Sequence, residues 1–237
     1  MSGLERLTPT GRWGLLAAAL MGPRPALFFE ALRVRAELKG LLPELDALFG
    51  VPQLCDGPEP VDVGVHQLRL VNELARAQAP LAVRFAALMH KIGKGGTPRE
   101  MLPSHHRHEQ RGRALLDGLA QRIEVPDAAL DLARLAIDEC DRVHRVSDLR
   151  AGPIAALLER VQALARPERF EQLLCVCSFD YAVYPGHSAA EYPKAPRLRR
   201  ALAAYAGADV AGLTPESALH ARAQAIAHTL RGSASLS

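Results

Sequence analysis

Apolar residues recur along most of this chain at intervals of three and four, the spacing that lines one face of an α-helix. In "ALFFEALRVRAELKGLL" (Ala26–Leu42) they put Leu27, Phe28, Ala31, Leu32 and Leu38 on one side, and the segment closes near Gly40 and Pro43. Similar patterns predict helices over Gly11–Met21, from His66 through "HQLRLVNELARA", and from Pro80 through "LAVRFAALMHKIG". Further helices are predicted over Glu109–Arg122, Pro126–Cys140, Pro153–Leu164 and Pro167–Ser178, and the last two lie in "RLRRALAAYA" and "PESALHARAQAIAHTLR". Proline at the head of a helix suits the first turn, where no amide donor is needed. Polar, Pro- and Gly-rich stretches separate the helices: "QLCDGPEPVDVGV", "TPREMLPSHHRHEQ" and "AVYPGHSAAEYPKAP". No segment alternates as a strand would, and there is no internal repeat or long heptad run. The predicted fold class is all-α.

Composition supports that class. Of 237 residues, 49% are apolar but only 5% aromatic, so Leu, Ala and Val must fill the core. The formal charge of +3 is a mild basic bias, compatible with an anionic partner without requiring one. Four cysteines (Cys55, Cys140, Cys175 and Cys177) form no C-x-x-C pair, and a reduced, cytoplasmic setting is expected. The run "GLLAAALMG" is too short to cross a bilayer, so no membrane partner is expected.

Chemistry-bearing residues gather at helix ends and in loops: His66, His90, Lys91, His105, His106, His108, Cys140, Asp141, His144 and Asp180. Imidazoles and carboxylates projecting from several helices are a common way to hold a divalent ion in a bundle. A solvated surface explains a run such as "SHHRHE" equally well.

The stretch "HKIGKGGTPREMLPSHHRHEQRG" resembles the HD-domain signature of the bacterial CCA-adding tRNA nucleotidyltransferases, where a His-Asp pair stands in place of His90-Lys91. "PALFFEALRVRAELKGLLPELDALFGVPQ" is similar to that family's neck and body, and "VDVGVHQLRLV" to its Asp-Thr-Gly-X-His segment. "RPERFEQLLCVCSFD" is similar to its helix ending in Glu-Ala-Asp, and "YPKAPRLRRAL" and "LTPESALHARAQAIA" to its tail. The resemblance implies an HD-like helical bundle flanked by neck and tail helices, divided as 1–52, 53–185 and 186–237. The family's head motifs, which hold two Mg²⁺ ions for nucleotide addition, are not among these residues, so they are expected not to add nucleotides by themselves.

It also implies a degenerate HD site of His66, His90, Lys91, His108, Cys140, Asp141 and Asp180. Metal ligands, if an ion is bound, would be His66, His90 and Asp180. Lys91 reverses the charge of the expected aspartate, and one charge pair at 4 Å is worth about 4 kcal/mol at an effective dielectric of 20. No cofactor is therefore expected; a divalent Mg, Mn, Ni or Zn enters only under an alternative reading, a phosphohydrolase acting on 2′,3′-cyclic or monoester ends. In one arrangement the Lys91 ammonium pairs with Asp180 as an internal cation; in the other it extends to solvent. The main expectation is binding of tRNA or another structured RNA, with phosphate contacts from Arg33, Arg35, Lys39, Arg111, Arg113, Arg197, Arg199 and Arg200. A separate protein partner is a third expectation.

Overall fold

A computed structural model describes residues 6–55, 59–146 and 150–234. The described chain is α1 (Pro9–Met21), α2 (Pro25–Val34), α3 (Leu38–Leu41), α4 (Pro43–Asp46), α5 (Val63–Arg76), α6 (Leu81–Met89), α7 (His108–Ala120), α8 (Asp127–His144), α9 (Ala151–Arg160), α10 (Pro167–Ala182), α11 (Lys194–Ala206) and α12 (Pro215–Ala234). The all-α expectation is met, with one exception. Pro52–Gln53 (β1) and Val61–Asp62 (β2) pair antiparallel, in the register Pro52↔Asp62 and Gln53↔Val61. A ladder of two-residue strands leaves no alternation to read, which is why the sequence shows a loop there.

The predicted helix over Ala26–Leu42 is also interrupted. Ala36 adopts a left-handed φ of 56°, and the amide of Glu37 reaches back to the Leu32 carbonyl at 2.8 Å. That is the bonding of a Schellman stop, which ends α2 before α3 begins. In the other direction, α8 runs on past Cys140 to His144 and α10 past Ser178 to Ala182. These extra turns carry Asp141, His144 and Asp180 as helical side chains.

Helix α6 is the axis of the molecule. Val83 to Met89 are all buried, and α6 packs against α1, α5, α8 and α10. A helix apolar on every side belongs in the middle of a core. Its one charge, Arg84, is buried, and its guanidinium donates to the carbonyls of Ala79 (2.7 Å) and Leu20 (2.8 Å). One hydrophobic core runs from Leu16 on α1 to Ile226 on α12, so the neck-like and tail-like helices share it with the middle segment.

After α6 the chain turns through a 3₁₀ helix, Ile92–Gly96. A Cβ on Gly93 would lie 1.9 Å from the His108 carbonyl oxygen, so only glycine lets α7 dock there. Arg111 of α7 locks the joint: its Nε donates to Gly93 O (2.9 Å) and its terminal nitrogens to His106 O and Thr97 Oγ1.

Candidate functional site

Four elements deliver the inner site. His66 sits in the first turns of α5, a helix started by Asp62, whose carboxylate accepts from Val65 N at 2.9 Å. His90 and Lys91 follow the end of α6, and Asp180 lies near the end of α10. All four side chains are buried. The Lys91 ammonium donates to Asp180 Oδ1 at 2.6 Å and lies 3.0 Å from His66 Nε2. His66 Nε2 is 2.7 Å from the same Asp180 oxygen, and His90 Nε2 is 3.2 Å from it. Lys91 does not extend to solvent; it is the cation at the centre of this group.

Electrostatics follow from that placement. Burial works against the Lys91 charge, yet Asp180 beside it holds its pKa above the ordinary lysine value. Burial alone would push the Asp180 carboxyl up; Lys91 and the two imidazoles hold it well below the usual carboxylate range. His66 is pushed down to about 4, first by burial and then by Lys91, so it is neutral near pH 7. A neutral His66 either donates through Nε2 to Asp180 or accepts there from Lys91. His90 is lowered as well, chiefly by burial. Its Nδ1 is 2.7 Å from Ala87 O and must donate to it, so Nε2 carries a lone pair.

The outer oxygen of Asp180 extends the network. His144 Nε2 is 3.2 Å from Asp180 Oδ2, and His144 Nδ1 is 2.9 Å from the Tyr192 hydroxyl. Gln67 donates to the carbonyls of Ala87 and Leu88 and so braces the end of α6. Tyr184 lies 4.6 Å, ring to ring, from His66, and its hydroxyl accepts from Gln53, whose own carbonyl oxygen accepts from Lys94 at 2.9 Å. Burial, followed by Lys91, lowers Lys94 to about 8.

Other expected site residues stand apart from this centre. His108 faces Asp141, Nε2 to Oδ2 at 3.6 Å, with Glu109 also 3.6 Å from its ring. Arg145 lies 3.4 Å from Asp141 and 3.7 Å from Glu109 and supplies their counter-charge. Cys140 turns inward instead, its sulfur 3.5 Å from that of Cys177. Sequence reasoning named His144 among the chemistry-bearing residues without placing it in the degenerate HD site, and assigned no role to Lys94, Tyr184 or Tyr192. Lys94 belongs to the quoted signature, and His144 follows Cys140 by one helical turn; for the two tyrosines no local signal exists.

A divalent ion does not fit the inner seat as this chain builds it. The oxygen and nitrogen that would bind it, on Asp180 and His66, already touch the Lys91 ammonium. A second cation there would face a buried like charge.

Above the centre lies an open cleft of about 1290 Å³. That exceeds the 300–1,000 Å³ typical of small-molecule pockets. Nine lysines and arginines line it against three carboxylates, Glu109, Asp141 and Asp180. The residues expected to contact phosphate do not gather there: of the eight, only Arg113 lines the cleft. Arg111 is spent on the Gly93 joint. Arg35 pairs with Glu37, Arg113 with Asp138 and Arg199 with Glu171, while Arg33 stacks over Phe49.

The HD domain family matches residues 63–169, the stretch that delivers His66, His90 and Lys91 to this centre. Asp180 lies beyond that stretch but is brought to it by α10. The chain is related, more particularly, to the multifunctional CCA proteins. It is 40% identical over 210 residues to the one from Cupriavidus necator, covering 89% of this chain and 51% of that protein. It is 42% identical to one from Burkholderia cenocepacia, covering 96% of this chain and 57% of the relative. The protein of that name from Laribacter hongkongensis is 41% identical over 216 residues. The chain thus spans about half the length of the curated relatives it matches. No described helix is long and apolar enough to cross a membrane.

Proposed function

We propose that this HD region binds RNA, with tRNA as the first candidate, in the basic cleft above a centre that no longer uses a metal. The observation that carries the reading is the cleft itself: nine lysines and arginines line it, Arg107 and Arg150 among them exposed while Lys91, Arg113, Arg142, Arg145 and Arg160 are ion-paired, and its volume admits more than one nucleotide. The relation to CCA proteins supplies the choice of tRNA. Phosphate contacts need only positive charge, so such binding survives the replacement of a catalytic aspartate by Lys91. Exposed Arg107 and Arg150 belong to the lining and are the natural first contacts.

Fluorescence anisotropy with labelled tRNA tests this. Affinity is expected to fall steeply between about 50 and 200 mM salt, by roughly tenfold or more if several phosphates are neutralised. The double charge reversal Arg107→Glu/Arg150→Glu is expected to weaken binding and flatten the salt slope. Absence of binding, or binding indifferent to salt, overturns the reading. Turnover of 2′,3′-cyclic phosphate ends by the same protein would favour the hydrolase alternative instead.

A further inference from the structure

We propose that Lys91 occupies a divalent-cation seat whose remaining donors are still in place, so that exchanging this one residue for an acid turns the centre back into a metal site. The inference concerns the inner centre and does not depend on what the cleft binds.

His90 carries the argument. Its Nδ1 donates to the Ala87 carbonyl, 2.7 Å away, which fixes the tautomer and leaves a lone pair on Nε2. A main-chain carbonyl behind the ring is the support that metal-bound histidines commonly have. That Nε2 is buried and has no hydrogen-bond partner. It nevertheless points at Asp180 Oδ1, 3.2 Å away, one electron-rich atom against another. Such a pair is stable beside a cation, and the Lys91 ammonium is that cation, 2.6 Å from the same oxygen. His66 Nε2 completes the ring of donors, 2.7 Å from Asp180 and 3.0 Å from Lys91. Two imidazole nitrogens and a carboxylate oxygen suit a borderline first-row ion such as Ni²⁺ or Zn²⁺. Asp180 cannot swing away, because His144 holds its other oxygen at 3.2 Å.

Elemental analysis after equilibration with Ni²⁺ or Zn²⁺ and gel filtration tests the proposal. The natural chain is expected to retain far less than one ion per molecule, and Lys91→Asp roughly one, because the change removes the ammonium and adds a carboxylate. Added Ni²⁺ should then raise the melting temperature of Lys91→Asp and leave that of the natural chain unchanged. His90→Ala in the Lys91→Asp background should abolish retention, which places the ion at this seat. A folded Lys91→Asp that holds no metal overturns the proposal, as does a natural chain whose bound ion is lost on Asp180→Asn. If Lys91→Asp does not fold, two measurements decide. Lys91→Ser opens the seat without adding charge and should gain Ni²⁺-dependent stabilisation. In the natural protein, ¹⁵N NMR should show His90 protonated on Nδ1 alone; a proton on Nε2 contradicts the inference.

Discussion

Lys91 and Lys94 are three residues apart and both buried, yet their pKa values move in opposite directions. The difference is the partner. Lys91 touches a carboxylate, while Lys94 donates to the Gln53 amide oxygen and feels the Lys91 charge. The consequence for pH follows from proton counting. Unfolded, Lys94 titrates near about 10.4; folded, near 8. Between these values the unfolded chain holds a proton that the folded chain has released, so stability from this group rises with pH. Below about pH 8 both states are protonated and the penalty of burying the charge is present in full. The natural protein should therefore gain up to about 3 kcal/mol relative to Lys94→Met between pH 8 and 10. Thermal melts of the two proteins across that window measure the difference, and parallel pH profiles would contradict it. Lys91 acts with the opposite sign: its raised pKa lends stability that is lost only when pH climbs beyond the ordinary lysine range. What the sequence conveyed at this scale was the residue types. It gave His66, His90, Lys91 and Asp180 as one group, but left open whether Lys91 turned inward, since that depends on the distance from α6 to α10. Tyr192 was silent because it meets the centre from a loop 48 residues from His144, through its hydroxyl and the edge of its ring.

Helices were legible where an apolar face repeats and illegible where a single contact sets the end. The period found α5, α6, α8 and α10; it did not foresee the stop at Ala36, a non-glycine in a glycine-like conformation. The most constrained joint between elements is α7 on the turn after α6. Gly93→Ala should cost about 3 kcal/mol or more, because the added methyl meets a main-chain oxygen rather than a movable side chain. Gly118→Ala, on α7 with open space around it, should instead stabilise by about 0.5–1 kcal/mol. Urea denaturation of both variants checks the contrast. Equal effects at the two positions would show that the close approach at Gly93 does not govern the joint. Arg111, expected among the phosphate contacts, sits at this same joint: a surface-looking arginine in sequence is, in the fold, a clamp on three acceptors.

At the scale of the molecule, neck-like, central and tail-like segments were distinguishable in sequence by similarity alone. In the fold they share one core, because α1 packs on α6 and α12 on α9. The cleft was not legible at all. Its basic residues come from the turn after α6, the residue before α7, helices α7, α8, α9 and α11, and Arg145 and Arg150 between α8 and α9, and only packing sums them. Helix α6 has a consequence in time as well as in space. One end is tied by Arg84 to carbonyls of α1 and the loop before it; the other delivers His90 and Lys91 to α10. A local opening of α6 would strand a guanidinium at one end and an ammonium at the other, so small openings are penalised twice. Its amides should accordingly exchange with deuterium only when the whole domain unfolds, among the slowest in the protein. Peptides from α12, docked along one side, should exchange earlier. Equal protection in both would mean that α6 is not the last element to yield.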